Sequence, residues 1–240
     1  MKPFLLLLCL PLLFLTSCRW MGYKTIHGNG NLETETRNIQ QAYRIKLAGS
    51  YDVEITQGPV TSVKVEADEN LLPFILTNEN DGFLIIKSKS NVNLSSRHGI
   101  RVYITTNKLE EIQLAGSGNI IGKSRFTGGD KLKLKIAGSG DMQLEVNTPS
   151  LESEIAGSGT LTLTGETRDQ RIQISGVGNY KAGDLKSENA TVRIAGSGDV
   201  KVFAANTLDI RIAGVGSVYY KGDPVIKQHV SGSGEVKRME

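Results

Sequence analysis

Leu114-Ala115-Gly116-Ser117-Gly118-Asn119-Ile120 places an apolar residue two positions before a glycine and another four positions after it, with small residues between. The frame occurs eight times, its first glycine falling at Gly49, Gly116, Gly138, Gly157, Gly176, Gly196, Gly214 and Gly232. From Gly116 onward the steps are 22, 19, 19, 20, 18 and 18 residues. A repeat of this length, read as strand, tight corner, strand, marks a stacked architecture in which each unit buries its apolar side on its neighbours.

The flanks alternate. Two positions before the glycines stand Leu47, Leu114, Ile136, Ile155, Ile174, Ile194, Ile212 and Val230. Four positions after them stand Val53, Ile120, Met142, Leu161, Tyr180, Val200, Val218 and Val236. All sixteen are apolar in a chain that is only 39% hydrophobic, whereas the residue three before each glycine is always polar. This period-two pattern is expected of strands with one face buried and one wet. At the corner, glycine accepts positive φ without a Cβ clash, and Ala and Ser are small enough for one corner to lie on the next. The tetrad is usually followed by a short polar residue (Asn119, Asp141, Thr160, Asn179, Asp199, Ser217), a type that bonds turn backbone through a side-chain oxygen.

Stacking explains why one tetrad recurs, since each corner must resemble the corner above it. An antiparallel meander needs a workable turn each time but not the same one. The opposite turns do vary, as in Thr127-Gly128-Gly129-Asp130, Asn147-Thr148-Pro149 and Lys221-Gly222-Asp223-Pro224. The expectation is therefore all-β: a parallel β-solenoid, or β-helix, with rungs of 18–22 residues, preferred over the meander. The 67 residues from Gly49 to Gly116 are expected to hold about three rungs plus an insertion. Within them, 68–73 reads as a short helical turn and 88–99 as a loop, so the N-terminal portion is less regular. Lys237 and Arg238 put charge on the final open edge, where it opposes end-to-end pairing.

Ahead of the repeat, Lys2 and the apolar run 4–15, broken by Pro11, read as a signal peptide too short to span a bilayer comfortably. Leu15-Thr16-Ser17-Cys18 closes that segment and resembles the lipobox of bacterial lipoproteins. The resemblance implies cleavage before Cys18, whose thiol then carries a diacylglycerol and anchors the protein to a membrane. It divides the chain into a signal peptide (1–17), a lipidated tether (18–27) and the solenoid domain (28–240). An ordinary secretory signal with an incidental cysteine is the alternative. Cys9 lies in the part expected to be removed, which leaves one cysteine and neither a disulfide framework nor a Cys-based metal site. The formal net charge of +3 is too balanced to indicate nucleic acid by bulk electrostatics.

The Ala115–Ile120 run and its echoes, with Tyr51-Asp52-Val53-Glu54-Ile55-Thr56-Gln57-Gly58 and Val65-Glu66-Ala67-Asp68-Glu69-Asn70-Leu71-Leu72, resemble the head GIN domain family of adhesin-like bacterial lipoproteins over about 28–237. The resemblance implies a right-handed parallel β-helix and a lipid-anchored place in the cell envelope, at the bacterial outer membrane. The chain departs from the adhesin pattern in showing no C-terminal membrane-barrel segment. No acidic cluster follows Cys18, whose neighbours are Arg19-Trp20-Met21-Gly22, so a periplasmic and a surface orientation both stay open.

Chemistry-bearing motifs are weak. The run Gly116 to Ser124 imitates a phosphate loop, but Ser117 stands where glycine is needed and a strand, not a helix, is expected to follow. Asp141, Asp199 and Glu235 follow glycine-rich corners, yet Thr160, Asn179 and Ser217 interrupt them and the period is twice that of calcium repeats. Glycosidases need two facing carboxylates, one with a raised pKa; the outward positions instead mix Lys135, Glu154, Gln173, Arg193 and Arg211. Glu152 is expected beside Arg171, and Asp209 beside Lys227. His27, His98 and His229 are scattered. Lys131 to Lys135, with Arg193, Lys201 and Arg211, offers either an anionic-ligand stripe or a solubilising face. The expectation is no catalytic residue, no cofactor and no metal. The function expected is a non-enzymatic module for adhesion or for binding glycan or envelope protein, held to the membrane through Cys18. A periplasmic scaffold and a polysaccharide-active enzyme are the alternatives.

Overall fold

The structure is a computed structural model that describes residues 23–239. The signal peptide, Cys18 and Trp20 lie outside the described residues, so the lipid-anchor expectation has no structural counterpart. The N-terminal part runs β1 (Lys24–His27), β2 (Leu32–Arg37), β3 (Arg44–Ala48), β4 (Asp52–Gln57), β5 (Ser62–Asp68), a 3-10 turn (Glu69–Phe74), β6 (Ile75–Asn80), β7 (Phe83–Ser88), β8 (Val92–Ser95) and β9 (Arg101–Thr106). The regular part continues through β10 (Glu111–Gly116), β11 (Asn119–Phe126), β12 (Lys131–Gly138), β13 (Met142–Gly157), β14 (Thr160–Gly176) and β15 (Asn179–Gly196). It ends with β16 (Val200–Phe203), β17 (Thr207–Gly214), β18 (Val218–Lys221), β19 (Val225–Gly232) and β20 (Val236–Arg238). Strands make up 69% of the described residues, stacked as parallel coils in a β-solenoid of about six turns.

Register proves the stacking. Gly138 lies beside Gly116, Gly176 beside Gly157, Gly196 beside Gly176, Gly214 beside Gly196 and Gly232 beside Gly214. Of the sixteen apolar flanking positions, fourteen are buried, and the exceptions, Val230 and Val236, both belong to the last rung. Each buried Ile or Leu contributes roughly 1.5–3 kcal/mol, so the rungs are held mainly by this shared core.

The corner is fixed by backbone approach as much as by φ. Gly176 has φ 139°, a left-handed value that an L side chain rarely adopts. A Cβ on the second tetrad glycine Gly159 would stand 2.1 Å from the Gly140 carbonyl oxygen, although Gly159 has no positive φ. The carbonyl of Gly138 accepts a hydrogen bond from the N–H of Ser158 at 2.9 Å, and that of Gly157 accepts from Val177 at 3.0 Å. The corners thus continue the inter-rung ladder, and a side chain there would wedge adjacent rungs apart.

The short polar residue after the tetrad serves the next rung. Asp141 Oδ1 accepts the N–H of Thr160 at 2.7 Å, and Asp199 Oδ1 that of Ser217 at 3.0 Å. The opposite corners use buried hydroxyls: Thr148 donates to the Gly129 carbonyl at 3.1 Å, Thr167 to the Asp169 carbonyl at 3.3 Å and Ser187 to the Phe203 carbonyl at 2.5 Å.

The N-terminal expectation needs correction. The 67 residues between Gly49 and Gly116 do not hold three successive rungs. The rung formed by β3 and β4 lies directly on β10 and β11. The next rung in the chain, β7 and β9, pairs with the outer side of β3 and β4, so spatial order departs from chain order. Antiparallel strands then close this end, with β6 on β7, β5 on β9 and β2 on β5. Leu71 and Leu72 of the 3-10 turn are buried there. The segment 88–99 is not wholly loop, since β8 pairs with β1, and β1 itself falls in the stretch assigned to the tether.

Candidate functional site

The corner glycines hold the rungs in register and so turn their polar alternation into straight columns on the outer surface. On the sheet that precedes the tetrads, one column runs Lys46, Gln113, Lys135, Glu154, Gln173, Arg193, Arg211 and His229. Beside it lies a column of Ala and Ser ending in Ser175, Ala195, Ala213 and Ser231.

Charge along this face changes midway. In the early rungs Arg44 meets Glu111 at 2.9 Å, Lys131 meets Glu152 at 2.7 Å and Lys135 meets Glu154 at 3.0 Å. The expected neighbours Glu152–Arg171 and Asp209–Lys227 are opposite in register, but the close partners are Lys131 for Glu152 and Arg211 for Asp209, the latter at 3.7 Å. In the later rungs Arg193 lies directly opposite Arg211, and Arg211 opposite His229. Among the described residues Arg193 has no acidic partner within 4.0 Å. Arg193, Arg211 and His229, with Gln173 and the small column, line a shallow groove of about 400 Å³.

The opposite sheet follows the same trend. Lys123 pairs with Glu54 at 3.1 Å, and Arg125 sits 3.8 Å from Glu145 and 3.7 Å from Glu166. Further along, Lys181 lies opposite Lys201, and Tyr219 separates Lys201 from Lys237.

A second polar cleft, about 500 Å³, lies between Arg44, Glu110, Glu111, Asp130 and Lys133. The Arg44 guanidinium stacks 3.8 Å over the Phe83 ring while pairing with Glu111. Burial acts to raise the Glu111 carboxyl, but hydrogen bonds from Gln113 and Arg44 outweigh it and hold the group below the usual carboxylate range. Glu152 is held low by its bond from Lys131, and Asp169 by its bond from Arg168. These shifts favour the charged form, the opposite of what a glycosidase general acid requires.

Two buried polar clusters escape sequence reading. Asp68 accepts hydrogen bonds from Ser96 Oγ at 2.5 Å and Gly30 N at 2.7 Å, with the half-exposed His98 at 3.9 Å. The Ser96 bond does most to hold its carboxyl below the usual range, against the effect of burial. Inside the solenoid, Tyr180 donates to Gln170 Oε1 at 2.9 Å, and Gln170 Nε2 donates to Ser187 Oγ at 2.7 Å. Burial pushes the Tyr180 hydroxyl well above its ordinary pKa. Gln170 occupies a column otherwise filled by Leu132, Leu151, Ala190 and Leu208, so a polar intruder was the readable signal once register was known.

No group of three or more His, Cys, Asp or Glu side chains able to hold a metal occurs among the described residues. Asp141 and Asp199, weighed as calcium ligands, cap backbone N–H groups instead. The glycine run at Gly116 leads into strand β11. Among the described residues, no helix is long and apolar enough to cross a membrane.

Comparison with known proteins gives one family. The family described as "Putative auto-transporter adhesin, head GIN domain" matches residues 43–224. A solved structure described as a "putative lipid binding protein" from Parabacteroides distasonis shares 29% identity, with a TM-score of 0.76, covering 90% of this chain and all of that one. A "putative adhesin" from Parabacteroides merdae shares 25% identity at a TM-score of 0.72, over 90% of this chain and 100% of the other. A "putative adhesin" from Bacteroides fragilis, at 22% identity, has a TM-score of 0.80 over 89% of this chain and 100% of its own, which is a likeness of fold. No curated protein matches the chain.

Proposed function

The chain belongs to the head GIN domain family of auto-transporter adhesin type, and from that premise we propose that it is a non-enzymatic adhesion module of the cell envelope that binds glycan or protein along its flank. The observation that carries the reading is the solenoid itself. Its interior is filled by side chains, and its two outer sheets present straight columns of exposed polar residues at rung spacing. Such a surface suits recognition of an extended ligand, for which contacts recur with each rung. Description of a relative at 25% identity as a "putative adhesin" agrees with this.

The proposal includes anchoring through Cys18, with the tether entering β1 at the closed end of the solenoid and the open end pointing away from the membrane. A Cys18→Ser protein should leave the membrane fraction while keeping its fold. The decisive test is protease shaving of intact cells carrying an epitope in the exposed turn 58–61, where Val60 is 71% exposed. Loss of the epitope on intact cells supports adhesion. Protection until lysis overturns it in favour of a periplasmic scaffold.

A further inference from the structure

We infer that the groove along Arg193, Arg211 and His229 is a binding site for an extended anionic glycan, one bearing carboxylate or sulfate groups on successive units. The inference deepens the adhesion reading and rests on it, since it names the ligand class and the face that takes it.

The argument starts from an electrostatic imbalance. Like charges directly opposite one another on neighbouring strands are destabilising. The early rungs avoid this by pairing Lys131 with Glu152 and Lys135 with Glu154. The later rungs place Arg193 directly opposite Arg211, with Asp209, 3.7 Å from Arg211, the single close acid among the described residues. Solubility alone does not call for this arrangement, because the alternating ladder of the early rungs is equally charged and polar. An anion laid across the column converts the repulsion into attraction.

The geometry fits a polymer better than a point anion. Arg193 and Arg211 stand on successive rungs, about 4.8 Å apart, with the His229 imidazole next along the same line. Each guanidinium offers a planar fork of donors matched to carboxylate or sulfate. Ala195 and Ala213, with Ser175 and Ser231, form a floor with no long side chain, so a chain of sugars approaches the sheet closely. Ser231 Oγ lies 3.4 Å from His229 Nε2, which places a hydroxyl at the groove's end beside the imidazole. The opposite sheet supplies an internal control: Lys181 and Lys201 form a like-charged pair of the same net charge, without guanidinium forks.

The test is equilibrium binding of the purified protein to a polyuronate, to heparin and to neutral dextran, at fixed ionic strength, with single-stranded DNA as competitor. Polyuronate or heparin should bind and dextran should not. The Arg193→Gln/Arg211→Gln double variant should lose affinity at least about tenfold, whereas Lys181→Gln/Lys201→Gln should change it less than about twofold. Both pairs are exposed, and an unchanged thermal midpoint verifies that each variant is folded. Absence of binding to either anionic polymer overturns the inference, as does an equal loss in the two double variants, which would mean general charge attraction. Equal displacement by DNA overturns it too. Binding of dextran or of a protein, unaffected by the arginine changes, overturns this site while leaving the adhesion reading standing; that reading fails separately, in the shaving assay.

Discussion

The two ends of the solenoid solve one problem differently. At the N-terminal end the chain runs outward past its own first rung, lays down β7 and β9, and covers them with antiparallel β6, β5 and β2. Ala67, Leu71, Leu72 and Ile75 are buried under that cover. At the C-terminal end no strand covers β19 among the described residues. Val225 is 79% exposed there, and Gln228 replaces the Ile210 of the rung below. Closure by reversed strands removes an edge, while polar substitution with Gln228, Lys237 and Arg238 only makes an edge less adhesive. The regular rungs between the ends draw stability from both neighbours, so position in the stack, more than residue type, decides what a substitution costs.

The largest effect should come from the corners. Gly159→Val drives side-chain atoms into the Gly140 carbonyl and should lower the thermal midpoint by at least about 10 °C or abolish soluble expression. Gly129→Ala, whose Cβ would stand 3.4 Å from the Leu109 carbonyl at an ordinary φ, should be near neutral. Equal loss in both variants would break the corner account. Core truncation ranks second and reads position directly. Ile174→Ala, in the middle of the stack, should cost about 2–5 kcal/mol by chemical denaturation, and Ile226→Ala on the open rung below about 1 kcal/mol.

The closed end has its own signature in acid. Asp68 has a folded pKa below its unfolded value, so its stabilisation is fully present above the unfolded pKa, near 3.9. It is lost as pH falls through the folded pKa. Thermal midpoints of the native protein and Asp68→Asn should therefore differ at about pH 5 and converge as pH falls through the folded pKa of Asp68. A gap that widens in acid would contradict the assignment. The smallest effect belongs to the exposed ladder: Lys135→Gln, breaking the pair with Glu154, should change stability by less than about 1 kcal/mol.

How far the sequence was legible follows from the same contrast. The regular rungs were readable because from Gly116 onward each corner glycine packs on the backbone of the corner before it, a contact with no room for a Cβ. The second tetrad glycine was readable as a residue but not as a cause, since its reason is a carbonyl 2.1 Å away in another rung. The closed end was not readable in detail. Its strands pair out of chain order, and the antiparallel partners of β5 and β7 carry no repeated residue to announce them. Asp68 read only as the first residue of a short helical turn, yet its carboxylate reaches Gly30 and Ser96, more than 25 residues away in either direction. The outward columns were listed correctly from alternation, but pairing set the neutralised lysines apart from Arg193: Lys131 and Lys135 find glutamates, and Arg193 finds no acid among the described residues.

Amide hydrogen exchange resolved by segment, on dilute purified protein, tests most directly that one stack is closed at one end and open at the other. Protection should be deepest in β13 to β15, remain high in β4, β7 and β9 beneath their antiparallel cover, and fall steeply in β19 and β20. Protection of β19 equal to that of β14 would contradict an open C-terminal end, and rapid exchange in β7 and β9 would contradict closure at the other.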